Sequence, residues 1–175
     1  MDLSEKRLDG EVLFEGRMLR VERDRVQLPN GQESVREVVR HPGAVAIVAL
    51  KGEELLLVRQ FRYAPGCELL EVPAGKLDPG EDPLACAERE LREETGYRGT
   101  LQKLGSFYMT PGYTDEVIHF FWTTELVYDP LSHDEDEFLE LESIPWSRAV
   151  AMAAQGGFND GKTALGILLV QEKFK

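Results

Sequence analysis

Between Ala74 and Gly96 the chain has few ways to fold. A run of turn formers, Ala74-Gly75-Lys76-Leu77-Asp78-Pro79-Gly80, precedes Glu81-Asp82-Pro83. An acid followed by Pro at an early helical position is a strong helix start, because the first turn has no use for the missing amide and Pro already holds a helical φ. The pattern predicts a helix over Pro83–Thr95 that stops at Gly96. At about 100° per residue, Glu90, Glu93 and Glu94 fall within an arc of about 100°. Leu84 and Leu91 lie together on an adjoining face that can pack into a core. Close carboxylates on one helical face repel by a few tenths of a kcal/mol per pair. A cation turns that cost into binding energy, and Mg²⁺ takes one or two carboxylates with phosphate and water. The plainer alternative is a solvated acidic face with i,i+4 support, such as Arg89 to Glu93.

The rest of the chain reads as short strands with a few helices. Strands are expected at Glu11–Glu15, Leu19–Leu28 and Ser34–Arg40, with the turn Pro29-Asn30-Gly31 joining the last two. Further strands are expected at Ala44–Leu50, Leu55–Arg62, Leu69–Val72, Leu101–Tyr108, Val117–Val127 and Phe138–Leu141. Residues 74–80 read as loop, and Pro145–Ala154 and Lys162–Phe174 as helices. Without regular βαβ alternation this is an α+β sandwich rather than a doubly wound sheet. Residues 1–41 form a candidate separate sheet, followed by a main domain over 42–175 with no flexible linker between them.

The net charge of −12 is concentrated in two places. Residues 75–97 hold seven acids against three bases, and residues 125–142 hold eight acids with no Lys or Arg. Such a chain is a poor general nucleic-acid binder, since counterion release needs Lys and Arg. No stretch is apolar and long enough to span a bilayer. The opening MDLSEKRLDGE has no apolar run, so no signal peptide is expected. Cys67 and Cys86 have neither metal nor framework spacing and read as reduced thiols of a cytoplasmic protein. His41, His119 and His133 show no ligand spacing, and Trp122 and Trp146 read as packing residues.

The full string is Gly75, five residues, Glu81, seven residues, then Arg89-Glu90-Leu91-Arg92-Glu93-Glu94-Thr95-Gly96-Tyr97. At these positions the chain resembles the Nudix hydrolase family, with Tyr97 where the family usually has an aliphatic residue. The resemblance implies an α/β/α sandwich with a mixed sheet, here with added N-terminal antiparallel strands. It also implies two or three Mg²⁺ ions, with Mn²⁺ as an alternative. The metal ligands carried over are Glu90, Glu94 and the Ala74 carbonyl. Glu93 is a further ligand or water-positioning group, Glu81 an orienting partner, and Arg89 the residue that holds a carboxylate in place. Gly75 and Gly80 allow a tight loop that brings Glu81 and Ala74 toward the acidic face.

Three further segments resemble the ADP-ribose pyrophosphatases and nucleotide-sugar hydrolases of that family. Met109-Thr110-Pro111-Gly112-Tyr113-Thr114-Asp115-Glu116 resembles their Ser-Pro-Gly segment, with Thr110 in place of Ser. It implies substrate contact through Pro111, Gly112 and Glu116. Val58-Arg59-Gln60-Phe61-Arg62-Tyr63 resembles their Arg-Gln-x-Arg strand, which implies Arg62, and secondarily Arg59, as diphosphate-binding groups. The acidic run Asp134–Glu140 resembles a loop whose glutamate serves as base or extra ligand, with Glu137 the first candidate and Glu135 the second. Together these imply hydrolysis of ADP-ribose or a related nucleoside diphosphate sugar by a homodimer. Other Nudix substrates (GDP-mannose, NADH or another dinucleotide) and a non-catalytic Nudix-fold module are the alternatives.

Overall fold

The structure is a computed structural model that describes residues 2–132 and 138–174. It separates into two compact units: residues 1–43 with 108–117, and residues 44–107 with 118–174 of the described chain. Chain order alone does not assign 108–117 to the first unit.

The first unit is built on a three-stranded antiparallel sheet, β1 (Lys6–Glu15), β2 (Arg20–Gln27) and β3 (Glu33–Arg40), in that order. The turn between β2 and β3 is the one read from the sequence. Gly31 adopts φ 84° and its amide reaches the Leu28 carbonyl at 2.9 Å, a conformation that a residue with a Cβ rarely takes. β1 begins five residues before the expected Glu11 and is exposed along its whole length. Segment 110–115 docks onto β3, with the Val39 amide donating to the Tyr113 carbonyl at 2.7 Å. Arg40 donates to Asp115 at 3.1 Å, and the His41 amide donates to the same carboxylate at 2.9 Å.

The second unit is an α/β/α sandwich, as expected. Its mixed sheet runs β12 (Leu139–Pro145), β5 (Glu54–Arg62), β4 (Ala44–Lys51), β10 (Val117–Thr123), β9 (Gln102–Tyr108). β4 pairs parallel to β10 and antiparallel to β5. β6 (Cys67–Glu71) adds to β5, and β7 (Ala74–Lys76) adds to β4. Alternation along β4 feeds two layers. Val45, Ile47 and Ala49 pack with Cys86, Ala87 and Leu91 of helix α1 (Pro83–Thr95). Val48 points instead to helix α3 (Gly161–Gln171), where a Cβ on Gly166 would lie 3.0 Å from its Cγ2. Helix α2 (Trp146–Ala154) packs beside α3. Trp122 and Trp146 are packing residues, each edge-on to Phe174.

The structure corrects two local expectations. Residues 74–76 are not loop but a short strand, because β4 offers them a ladder: Val45 faces Gly75 and Ala46 faces Ala74. Val117–Val127 is not one strand. It breaks at a bend after Thr123, whose Oγ1 accepts the Glu125 amide at 3.2 Å, and β11 (Leu126–Tyr128) then pairs with β8 (Tyr97–Gly99). Both strand partners lie far along the chain, so local periodicity does not reveal them.

Candidate active site

Helix α1 starts and stops where the sequence places it. The Asp82 carboxylate accepts the Leu84 and Ala85 amides at 2.9 and 3.3 Å, and Pro83 fills the first helical position. Gly96 takes φ 76° and donates to the Arg92 carbonyl at 3.0 Å, closing the last turn. The loop before it folds back as expected: Gly80 has φ 79°, and Glu81 accepts the Asp78 amide at 2.9 Å.

The acidic face is not a solvated surface. Glu90 is 6% exposed and Glu94 3% exposed, and buried carboxylates require partners. Arg89 supplies part of the answer. Its guanidinium donates to Glu81 at 3.0 and 3.1 Å, to Glu90 at 2.7 Å and to Glu93 at 2.9 Å. The sequence suggested one carboxylate for this arginine, and the fold gives it three. The bond to Arg89 outweighs partial burial and, with the Asp78 amide, holds the Glu81 carboxyl at about 2. Those carboxylates in turn hold the Arg89 proton more tightly than usual. Burial, reinforced by Glu81 and Glu90, pushes the neighbouring Cys86 thiol up to about 12, so it is no nucleophile.

Glu94 is tied to the loop, with its Oε2 accepting the Ala74 amide at 3.0 Å. Gly75, the next residue, lies against Glu90 so closely that no Cβ fits there. Glu81, Arg89, Glu90 and Glu93 are thus brought into one cluster, Ala74 is hydrogen-bonded to Glu94, and Gly75 lies against Glu90. Among the described residues no group of three or more His, Cys, Asp or Glu side chains converges as a ready metal cluster. Arg89 engages oxygens of Glu90 and Glu93 in that arrangement. The donor set still fits a hard divalent cation: it is all oxygen, partly buried, and carries one guanidinium against several carboxylates.

The remaining candidates are placed separately. Arg62 forms a bidentate pair with Glu71, both bonds at 2.7 Å. Arg59, three residues earlier on β5 and therefore on the opposite face, binds Glu142 of β12 at 2.5 Å. Pro111, Gly112 and Glu116 belong to the first unit, where Glu116 Oε1 lies 3.7 Å from His41 Nδ1. A cavity of about 460 Å³ in that unit is lined by Arg36, Tyr108, Pro111, Gly112, Tyr113 and Asp115, among others. Glu135 and Glu137 lie outside the described residues, as does His133. Sequence reading missed Glu71 as a charged core group and missed Lys162, which pairs with it across 91 residues. The string Glu71-Val72-Pro73-Ala74-Gly75, which resembles the segment leading into the acidic helix in the nucleotide-sugar hydrolases, is the one local sign that this stretch leads to the site.

With this geometry in view, comparison with known proteins becomes specific. A family profile described as the NUDIX domain matches residues 39–172, and one described as the nucleoside diphosphate sugar hydrolase N-terminal domain matches residues 5–39. A protein of Bacillus subtilis (strain 168) named ADP-ribose pyrophosphatase is 41% identical over 175 residues, covering 98% of this chain and 95% of that protein. A protein of Bacillus methanolicus named methanol dehydrogenase activator is 41% identical over 177 residues, covering 98% and 96%. A solved structure titled as that of an ADP compounds hydrolase superposes with a TM-score of 0.86 at 26% identity, covering 98% of this chain and 95% of that one. The capped acidic helix, the glycine against Glu90 and these matches agree, and the chain belongs to the Nudix hydrolase family.

Proposed function

We propose that this protein hydrolyses the diphosphate bond of ADP-ribose or a related nucleoside diphosphate sugar, releasing a nucleoside monophosphate and a sugar phosphate. The observation that carries the reading is the buried oxygen cradle in which Glu90 lies against Gly75 and Glu94 accepts the Ala74 amide. The match of residues 5–39 to a nucleoside diphosphate sugar hydrolase N-terminal domain supports the substrate class. Full-length similarity to a protein named ADP-ribose pyrophosphatase supports ADP-ribose as the first substrate to try.

In this reading Glu90, Glu94 and the Ala74 carbonyl would hold the cations, with Glu93 as a further ligand or water-positioning group. The cations are Mg²⁺ or, as a substitute, Mn²⁺, two or three in number. A bound divalent ion neutralises diphosphate charge and acidifies water. Glu81 acts through Arg89, since both of its oxygens are taken by that guanidinium. Arg89 fixes Glu90 and Glu93 relative to each other. Glu93 accepts the proton of the attacking water, with Glu137, and then Glu135, as the other candidates for that role. Arg62 offers its guanidinium to the diphosphate and stabilises charge as the bond breaks. Arg59 is the secondary candidate for that contact. Pro111 and Gly112 let backbone approach the nucleoside part, and Glu116 accepts from a ribose hydroxyl.

The protein acts as a cytoplasmic homodimer in this proposal. β1 exposes Leu8, Val12, Leu13 and Phe14, an apolar series that a second copy would cover. Sedimentation showing a monomer at working concentration would reject that part. The activity is tested with a nucleotide-sugar panel that includes GDP-mannose and NADH, assayed with Mg²⁺, with Mn²⁺ and in EDTA. The expected result is AMP and ribose 5-phosphate from ADP-ribose with either metal. Full-rate hydrolysis in EDTA, or no turnover of any panel member, rejects the reading.

A further inference from the structure

The charged group buried most deeply in the second unit belongs to none of the residues given a role above. Glu71, at the end of β6, is 1% exposed and lies between two cations. Arg62 binds both of its oxygens, and Lys162 of α3 donates to Oε2. Lys162 also donates to Asp160 at 3.0 Å. Asp160 caps α3 by accepting the Thr163 amide at 3.0 Å and the Thr163 hydroxyl at 2.5 Å. The Thr163 oxygen accepts the Val72 amide at 2.9 Å. Every residue from 71 to 74 is therefore pinned. Glu71 is held by its side chain, Val72 by Thr163, the Pro73 carbonyl by the Ile47 amide at 2.8 Å, and the Ala74 amide by Glu94 at 3.0 Å.

We propose that Lys162, with Asp160 and Thr163 at the start of α3, is a positioning residue for the hydrolytic site, setting both the Arg62 guanidinium and the path of residues 71–74. This rests on the function proposed above. The burial values separate the two cations. Arg62 is 40% exposed and able to meet a phosphate, whereas Lys162 is 13% exposed and spends its donors on Glu71 and Asp160. Among the described residues Arg62 uses Nε and Nη2 on Glu71, while Nη1 makes no hydrogen bond. With Lys162 present, Glu71 is shared by two cations, and Arg62 keeps charge to offer an anion. Without it, Arg62 alone must neutralise a buried carboxylate, and its attraction for a diphosphate weakens. Burial pushes the Glu71 carboxyl upward, but Arg62 and Lys162 outweigh it, so the group stays charged and holds both partners.

The test replaces Lys162→Met and Lys162→Arg in the full chain. Inorganic pyrophosphate, the fragment common to every nucleoside diphosphate substrate, is titrated by calorimetry in the presence of Mg²⁺. Lys162→Met is expected to weaken pyrophosphate about 10-fold and to raise KM for ADP-ribose more than it lowers kcat. Lys162→Arg, which keeps the charge, is expected to restore most of the affinity. A Lys162→Met protein that melts lower yet binds pyrophosphate as tightly as wild type overturns the proposal. If Lys162→Met does not fold, Lys162→Gln takes its place, and unchanged affinity there overturns the proposal equally. Failure of the wild type to hydrolyse any nucleotide sugar strikes the proposed function instead, and leaves the pyrophosphate comparison standing.

Discussion

No side-chain carbon fits between Gly75 and the Glu90 carboxylate: a Cβ on residue 75 would collide with Cδ and both oxygens of Glu90. Gly75 has no positive φ, so its requirement is space rather than backbone freedom. Gly75→Ala must therefore displace Glu90 or the 74–76 strand. A shift of about 1 Å in such a site costs on the order of 100-fold in rate. The expected result is that loss of turnover with weakened Mn²⁺ binding, read by electron paramagnetic resonance, and an unchanged far-ultraviolet spectrum. Wild-type turnover in the variant would show that Glu90 need not sit where it does.

Glu90→Gln and Glu94→Gln keep shape while removing charge. Each is expected to weaken Mn²⁺ binding and reduce hydrolysis by at least about 100-fold, the scale of losing one strong electrostatic contact to a reacting centre. Hydrolysis retained in both would sink their assignment as ligands. Glu137→Gln is expected to leave Mn²⁺ binding to the helix intact while slowing turnover, and an unchanged rate would remove it as a base.

Arg89→Ala leaves Glu81, Glu90 and Glu93 without their shared cation. The expected cost is about 2 kcal/mol in metal-free buffer, the range for losing charge-assisted hydrogen bonds. Added Mg²⁺ should recover part of it, because a ligand of the folded state stabilises that state. The pH dependence has a fixed sign. Glu81 is held at about 2 against an ordinary value of 4.5, so its pairing stabilises fully above that ordinary value. The advantage of wild type over the variant should shrink as pH falls from there toward about 2. Denaturation in urea across that range measures it, and a gap that widens in acid would contradict the pairing.

Cys67 is exposed and Cys86 is buried. The Cys86 thiol, pushed up to about 12 by burial and by Glu81 and Glu90, stays protonated near neutrality. A thiol-reactive chromophore at pH 8 is expected to modify Cys67 in the native protein and Cys86 only after unfolding. Rapid native modification of Cys86, mapped by mass spectrometry, would show that the packing of α1 against β4 is looser than described.

The sequence alone determined the helix at Pro83–Thr95, its Asp82 and Gly96 caps, the Pro29-Asn30-Gly31 turn and the α+β class, because each depends on signals within a few residues. The spacing from Gly75 to Gly96 likewise identified the family before any contact was known. Tertiary structure decided the rest. It buried Glu90 and Glu94, gave Arg89 three carboxylates instead of one, and paired residues 74–76 with β4. It also gave Arg59 its partner Glu142 and Arg62 its partner Glu71, and joined Glu71 to Lys162. A helix start depends on neighbours one turn away, and chain order supplies those. The partner of a buried carboxylate depends on which distant segment the closing sheet and helix layers bring against it, and no local pattern carries that information.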